Sequence, residues 1–588
     1  MSVLPAVAGV DRPFDYLVAP DQDTAVRVGT LVRVDLHGRR VGGWVVGPAP
    51  SAGGPEGLRE LRPLARVSGW GPEPEVVRLA EWAAWRWAGR RGSFLRTASP
   101  GNVVAALPPA DRRPPAPPAG PRHVLDLAGA ALASSSPVVV RLPPVSDPTA
   151  LVAAVAQRGP TLVVVPSVAR AAVLAGRLRR AGAGVALVPQ EWGRARAGAG
   201  VVVGARAAAW APCPGLAGVV VLDAHDEGLV QDQAPTWWAA RVAAERARRA
   251  GAPCIWVTPC PPLDLLAAAG PPLTLPVDRE RGGWTPIEVV DRSADDPRLG
   301  LWSERLVRVA REGRRVVCVL NRTGRARLLA CGSCAAIARC ESCGAAVSQP
   351  ASGELPPYLA CARCGTTRPQ VCLVCHSTRM RRLRLGVERA REELEALLGS
   401  PVAEVTATTD SSGELGGGGP LVVVGTEAVL HRVPEADVVA FVDFDQELLA
   451  PRVRAAEEAL ALLARASRVL GGRRPARRLL VQTTLPDHEV LLAASRGDAS
   501  LLSAIEDSTR AALRLPPHSA LAVVSGAQAA PYAAAIGEVA ASLGVELARP
   551  GPDRWVLRAH TVEQLCDALA SVPRPPGRLR VEVDPVRF

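Results

Sequence analysis

The chain has 588 residues, a length that suggests roughly four domains and allows several full hydrophobic cores. Charged residues make up 21% and hydrophobic residues 48%, which excludes a disordered chain, and the formal charge of +12 favours an anionic partner, of which nucleic acid is the usual one. All 69 basic residues are arginine, so any mechanism that needs a lysine amine is excluded.

Residues 1–105 read as a small β-rich unit. The segment Asp11-Arg-Pro-Phe-Asp-Tyr-Leu17 precedes an alternating run at 29–38 and a second run at 41–47. Between these runs Gly38-Arg39-Arg40 is expected to turn the chain. Residues 73–91 place Val76, Leu79, Ala80, Ala83 and Trp87 at helical spacing, which predicts one helix packed on the sheet. Trp82 and Trp85 stand beside Arg86, Arg90 and Arg91, a combination able to stack on bases, although core packing is the expectation for most of these tryptophans. Seven prolines fall within 107–122, so residues 106–122 are expected to form an extended, semi-rigid linker.

From 123 to 300 short apolar runs at 138–142, 161–167, 185–188, 201–204, 219–223 and 254–258 are separated by helical stretches such as 168–181. Near-continuous valine runs of this kind predict parallel strands covered on both faces. The same pattern resumes after Leu301, with strands expected at 316–320, 421–425, 438–444 and 479–483 and a helix at 387–398. Residues 413–420, with four consecutive glycines, read as a flexible loop. After about 490 come a helix at 504–513 and a final αβ unit. No N-terminal stretch has the form of a signal peptide, and the longest uncharged apolar run, 207–222, is too short for a membrane span and contains Pro212 and Pro214. The expectation is a cytoplasmic protein with no membrane partner.

Eight of the thirteen cysteines sit in four C-x-x-C pairs: Cys331 with Cys334, Cys340 with Cys343, Cys361 with Cys364, and Cys372 with Cys375. A C-x-x-C turn sets two thiolates on one side of a tight knuckle, at about the separation one tetrahedral zinc requires, so four pairs are enough for two zinc ions. A disulfide framework suits a short secreted chain better than one segment of a long chain, and a [4Fe–4S] cluster suits paired knuckles less well than two separate tetrahedra do. Cys213, Cys254, Cys260, Cys318 and Cys566 lie mostly on apolar segments and are expected as buried free thiols. His376 follows Cys375 and is expected at the surface.

Two successive α/β lobes are a common frame for nucleic-acid motors. A P-loop needs G-x-x-x-x-G-K-[ST] after the first strand. This chain has Pro143-Pro-Val-Ser-Asp-Pro-Thr149, with no glycine and no lysine. Further on, Val219-Val-Val-Leu-Asp-Ala-His-Asp226 resembles a DExH-type box in outline, but it lacks the paired acids that hold magnesium and orient water. The segment 463–473 carries arginines without the Q-x-x-G-R-x-G-R spacing of arginine fingers. No ATP–magnesium cofactor is therefore expected.

Taken together the layout resembles the primosomal protein N′ family, the replication restart protein PriA. Asp11-Arg-Pro-Phe-Asp-Tyr-Leu17 is similar to its R-x-F-D-Y-L motif, Val201-Val-Val-Gly-Ala-Arg206 to its V-G-T-R segment, and Leu320-Asn-Arg-Thr-Gly324 to its L-N-R-R-G. The run from Cys331 to Cys375 reproduces its eight-cysteine module in order. Val424-Gly-Thr426 and Val442-Asp443 echo later helicase motifs, and Arg514-Leu-Pro-Pro517 and Val583-Asp-Pro585 match its C-terminal segments.

The resemblance implies an α/β architecture: an N-terminal DNA-binding domain that pockets a 3′ end (1–105), two RecA-like helicase lobes (123–300, then 301–330 with 377–490), a two-zinc module inserted in the second lobe (331–376), and a C-terminal α/β domain (491–588). It implies one zinc on Cys331, Cys334, Cys372 and Cys375 and the other on Cys340, Cys343, Cys361 and Cys364. It also implies that Phe14, Asp15, Tyr16 and Gly38 meet the DNA 3′ end, a motif that serves equally as strand packing. The family's members are ATP-driven 3′-to-5′ helicases, whereas this chain lacks the P-loop lysine and the paired acids, as in an actinobacterial branch with degenerate ATPase motifs. The expected function is recognition of stalled or abandoned forks and reloading of the replisome without helicase activity. Forked or single-stranded DNA and other primosome and replisome-loading proteins are the expected partners. The alternatives are an active 3′–5′ helicase with divergent motifs and a protein–protein scaffold without DNA binding.

Overall fold

The computed structural model describes residues 1–49, 61–295, 300–321, 329–334, 336–349, 357–382, 387–405, 421–551, 553–585 and 588. The glycine-rich segment 413–420 and residues 322–324 of the Leu320–Gly324 motif lie outside them.

The N-terminal unit is a five-stranded antiparallel sheet, β1 (Ser2–Pro5), β2 (Phe14–Asp15), β3 (Leu31–Leu36), β4 (Arg39–Gly47) and β5 (Arg66–Gly69), in the order β2-β1-β4-β3-β5. Alternation on β3 buries Val32 and Val34 among Val3, Tyr16, Val45 and Leu64, while Arg33 points outward. The hairpin turn falls on His37 and Gly38, with φ +48° and +76°, one residue earlier than the spacing suggests. A two-residue turn with both central φ values positive matches the twist of the strands, and it releases Arg39 and Arg40 to open β4.

The single helix expected over 73–91 is two, α1 (Pro74–Arg86) and α2 (Arg91–Ala98). The chain breaks at Ala88, whose φ is +45°, and at Gly89, where a Cβ would meet Pro235 at 2.6 Å and the Phe94 ring at 2.9 Å. The helical tryptophans work internally. Trp82 packs edge-on against the buried Trp87 at 5.3 Å, and Trp85 Nε1 donates to Asp567 at 2.9 Å. Arg86 pairs with Asp584, so helix α1 of the N-terminal unit is tied to the C-terminal segment.

The proline-rich segment carries no helix or strand before Arg122, and it does not hang free. Asp111 N donates to Gly198 O at 2.8 Å, Gly200 N to Asp111 O at 2.9 Å, and Gly184 N to Arg113 O at 2.9 Å. A Cβ on Gly184 would lie 2.1 Å from Asp111 O, and one on Gly200 would lie 2.2 Å from Arg113 O, so glycine is what lets the segment dock.

Two parallel sheets follow. The first has seven strands, built on Val138–Arg141, Thr161–Val164, Val185–Val188, Val201–Gly204, Gly218–Leu222 and Cys254–Thr258 with a short edge strand at Leu273–Thr274. The second has six strands, including Val316–Val319, Val422–Gly425, Val438–Phe441 and Arg478–Thr483. Its edge strand Ile287–Asp291 pairs with Arg478–Thr483, which puts the changeover between lobes before residue 287 rather than at 300. Helices Glu489–Arg496 and Ser500–Ala512 bury Val490, Leu491, Ala493, Ala494 and Leu502 in the core of this second lobe. The chain ends in a four-stranded antiparallel sheet covered by helices Ala529–Leu543 and Val562–Ser571. Cys213, Cys254, Cys260, Cys318 and Cys566 are all buried free thiols, and burial pushes Cys213 and Cys318 up to about 12. Among the described residues no helix is long and apolar enough to cross a membrane.

Candidate metal and nucleic-acid sites

The cysteine module leaves the second lobe after Val316–Val319 and returns to it at helix Val387–Leu398. Two short ribbons hold it, Leu329–Cys331 with Met380–Arg382 and Tyr358–Ala360 with Thr367–Pro369. The ribbons bring the sulfurs together in two groups, Cys331, Cys334, Cys372 and Cys375 in one and Cys340, Cys343, Cys361 and Cys364 in the other, each group within 4.8 Å. This nested grouping is the one the family resemblance implied. Cross-pair Sγ–Sγ distances are 3.4 and 3.6 Å in the outer group and 3.5 and 3.5 Å in the inner. A disulfide would need about 2.05 Å, whereas a tetrahedron with bonds of about 2.3 Å has edges of about 3.8 Å. Backbone N–H groups already point at the sulfurs: Ser333 N lies 3.3 Å from Cys331 Sγ, and Val374 N lies 3.4 Å from Cys372 Sγ. Backbone donation from Cys334 and Ser333 lowers the Cys331 thiol to about 6, which favours the thiolate a metal takes. Both groups are fit to hold a metal ion. His376 is exposed, as expected.

The inner knuckle is wired to the rest of the molecule by buried charge. Arg363, between Cys361 and Cys364, donates to both oxygens of Glu506 at 3.1 and 3.2 Å. Arg510, fully buried, lies 3.3 Å from Glu506 and 2.9 Å from Glu457. Glu457 in turn accepts from Leu263 N of the first lobe at 2.8 Å, and Arg454 pairs with Asp264 at 2.9 Å. The arginine inside a metal knuckle was the available sequence signal for this chain of contacts, but its acid lies 143 residues away.

At the cleft between the lobes the loop after Val138–Arg141 holds no phosphate cradle of its own. Asp147 Oδ1 accepts from the backbone N and the hydroxyl of Thr149 at 3.0 and 2.6 Å, occupying the first turn of helix Thr149–Ala156, and Arg177 pairs with its other oxygen at 3.0 Å. Asp223 ends strand Gly218–Leu222 with φ +49°. It receives Arg170 from its own lobe and Arg468 of helix Ala455–Leu470 from the other, the latter at 2.8 Å. Arg468 Nε also donates to Pro144 O at 2.8 Å, and Arg465 pairs with Asp226 at 2.7 Å. Asp223 and Asp226 are spaced by three residues, as are Arg465 and Arg468. On a helix that spacing shares one face, and the match between the two pairs is the signal sequence reasoning missed.

His225, packed among these groups, has its Nδ1 2.8 Å from Thr258 Oγ1. Burial lowers it to about 3, helped by Arg468, Arg465 and Arg170 against Asp226. Burial likewise lowers His431 to about 4, so both imidazoles are neutral at neutral pH. Burial lowers Arg170 to about 9, which leaves it charged there. The cleft encloses about 1100 Å³, and among the described residues its lining carries seven arginines and seven carboxylates. That balance does not make a general polyanion channel.

In the N-terminal sheet Phe14 and Asp15 are half-buried on β2, with the Arg12 guanidinium 4.8 Å from the centre of the Phe14 ring and Asp15 accepting from Ser2 Oγ at 2.5 Å. Tyr16 is buried, and its hydroxyl donates to Asp35 O at 3.2 Å. Gly38 caps the β3–β4 turn in the open, where a Cβ would meet nothing within 4 Å.

Comparison with known proteins places these features. A family model described as the 3′ DNA-binding domain of PriA matches residues 2–100. The probable replication restart protein PriA of Mycobacterium tuberculosis (strain CDC 1551 / Oshkosh) is 30% identical over 97% of this chain and 90% of its own length. The chain belongs to the PriA family. The PriA of Mycobacterium leprae is 28% identical over 89% of this chain and 86% of that protein, and the PriA of Bacillus subtilis is 25% identical over 55% and 43%. As a PriA homologue the chain is a replication restart protein with a 3′ DNA-binding domain in its first hundred residues, two α/β lobes built on parallel sheets after it, and two four-cysteine clusters.

Proposed function

We propose that this PriA-family chain is a fork-binding platform that recognises stalled or abandoned forks and helps reload the replisome without unwinding DNA. The observation that carries the reading is the cleft, where Arg465 and Arg468 meet Asp226 and Asp223 directly at 2.7 and 2.8 Å. An arginine finger serves a motor by reaching a γ-phosphate, and here both arginines are engaged by the opposite lobe's carboxylates. On this reading the lobes are clamped together independently of nucleotide. Cys331, Cys334, Cys372 and Cys375 hold one zinc ion and Cys340, Cys343, Cys361 and Cys364 the other, and each ion supplies structural closure of its knuckles. Phe14, Asp15 and Gly38 meet the DNA 3′ end, with Tyr16 bracing the strand from inside. Other primosome and replisome-loading proteins are its partners, and the cytoplasm its place of work.

The test is an ATPase and unwinding assay on forked DNA with zinc measured on the same sample. Two zinc ions per chain, fork binding and no hydrolysis is the expected result. DNA-stimulated ATP hydrolysis that disappears in Asp226→Ala would overturn the platform reading in favour of a divergent helicase.

A further inference from the structure

On the outer face of the N-terminal sheet two arginines stand opposite one another. Arg33 of β3 is in register with Arg66 of β5 on one side and with Gly42 of β4 on the other. Cross-strand partners share a face with Cβ atoms about 4.5–5.5 Å apart, and like charges so placed repel. Both side chains are exposed, and among the described residues neither has a carboxylate partner. The carboxylate of β3 itself, Asp35, faces Arg40 at 3.6 Å. Beside the pair the surface is open backbone, since a Cβ on Gly42 would meet nothing within 4 Å. Among the described residues the fold therefore sets two cations side by side next to open backbone, with the carboxylate of the same strand, Asp35, taken by Arg40. Asp35 and then Gly38 follow Arg33 along the same hairpin, which leads from this face to the turn at which the 3′ end is placed.

We propose that Arg33 and Arg66 form a clamp for the phosphodiester backbone of the strand whose 3′ end the domain holds. This rests on the reading of the domain as a 3′-end site. A guanidinium presents a planar fork of donors that matches the oxygens of a phosphate, and a phosphate seated between the two forks turns the cross-strand repulsion into attraction. Contacts of this kind position a strand and carry no base information. The clamp therefore acts on any sequence and is indifferent to the chemistry of the terminal hydroxyl.

The experiment uses the full chain and a fluorescent single-stranded oligonucleotide with either a free 3′-hydroxyl or a 3′-phosphate, titrated across a salt series. In single strands each phosphate contact contributes about 0.7 to the slope of log K against log salt. Releasing the one phosphate seated between the two forks in Arg33→Ala/Arg66→Ala is expected to flatten the slope by about 0.7 for both oligonucleotides and to leave their affinity ratio unchanged. Arg33→Lys/Arg66→Lys should keep most of the slope. Because the substitution relieves a like-charge contact at the surface, the melting temperature should not fall, and Arg33→Gln/Arg66→Gln serves as an independent second variant. An unchanged slope in both neutral variants overturns the clamp, and so does a loss confined to the free 3′-hydroxyl. If wild-type protein binds neither oligonucleotide with any salt dependence, the 3′-end reading fails together with it. If wild type binds with a steep slope that the variants share, the clamp alone fails.

Discussion

The cysteine module and the cleft between the lobes both depend on residues far apart in sequence meeting in space, yet their chemistry points in opposite directions. In the module all the paired cysteines converge, their sulfurs 3.4–3.6 Å apart across each pair, with backbone donors aimed at them. Every group there faces inward to a place where something else belongs. In the cleft the groups face one another. Asp223, Asp226, Arg465, Arg468 and Asp147 are satisfied by protein partners. A binding site shows itself by partners that the fold leaves out, and on the platform reading the paired groups of the cleft serve as scaffold. The inner knuckle is tied to both lobes, because Arg363 reaches Glu506, and through Arg510 and Glu457 the contact continues to Leu263 of the first lobe.

The strongest way to break the comparison is to remove the metal. Structural zinc in small modules contributes about 10–16 kcal/mol of apparent binding energy that is coupled to folding. Cys340→Ser/Cys343→Ser is expected to halve the zinc content to one ion per chain and to open residues 329–382 to limited proteolysis, while the parallel sheets still melt cooperatively. Two zinc ions in that variant would dissolve the nested grouping. The next largest effect should come from Arg510→Met. This substitution leaves Glu457 without its ion pair and Glu506 with Arg363 alone, and removing one partner of a buried pair costs about 3–5 kcal/mol. Urea unfolding is the measurement, and a change below about 1 kcal/mol would show that the link between module and lobes is not energetically real. Arg468→Ala should cost less, about 1–3 kcal/mol, through the hydrogen bonds lost at Asp223 and Pro144. On the platform reading it leaves DNA affinity intact, whereas in a working motor the same substitution would abolish turnover.

How far the sequence announced these regions follows from the range of the interactions. The apolar runs at 138–142, 201–204, 254–258 and 316–320 predicted buried parallel strands, because a strand covered on both faces needs no partner information to be recognised. The four C-x-x-C pairs predicted metal chemistry because each knuckle is local, but the nesting of the pairs came from family resemblance and was not contained in the spacing. The break between α1 and α2 was hidden, since helical spacing continues to Trp87 and only the approach of Pro235 and Phe94 makes Gly89 decisive. The proline segment read as a linker because prolines do not reveal which backbone their neighbours' amides will find. Ile287–Asp291 was assigned to the wrong side of the lobe boundary for a similar reason, as its pairing with the distant strand Arg478–Thr483 leaves no local trace. The clamp of Asp223 and Asp226 on Arg468 and Arg465 was visible only as two matching three-residue spacings, which gain meaning once the lobes face each other.

The smallest predicted effect, and the one that separates a closed scaffold from a responsive one, is on pH. His225 is neutral in the folded protein because burial and three neighbouring guanidinium groups lower it from its ordinary value of 6.5 to about 3. The unfolded chain therefore takes up a proton on this residue below about pH 6.5 that the folded chain does not accept until about pH 3. Stability follows the difference in bound protons. Keeping His225 neutral therefore costs nothing above about pH 6.5, and stability is lost progressively as the pH falls from there toward 3. His431, lowered to about 4, adds to the same trend over a narrower window. Asp226 acts in the same sense: burial raises it, but Arg465 and its other neighbours outweigh burial and hold it below the ordinary carboxylate range, so acid also erodes that pair. The melting temperature should fall between about pH 7 and about pH 5, and His225→Asn, which keeps a polar group near Thr258 but cannot titrate, should flatten part of that fall. The cysteine clusters confuse the comparison because thiolates that would hold a metal are also lost to acid, so the measurement is the difference between wild type and His225→Asn at equal metal content. Parallel curves for the two proteins would mean that the cleft opens to water readily enough for His225 to titrate normally, and the lobes would then not be clamped.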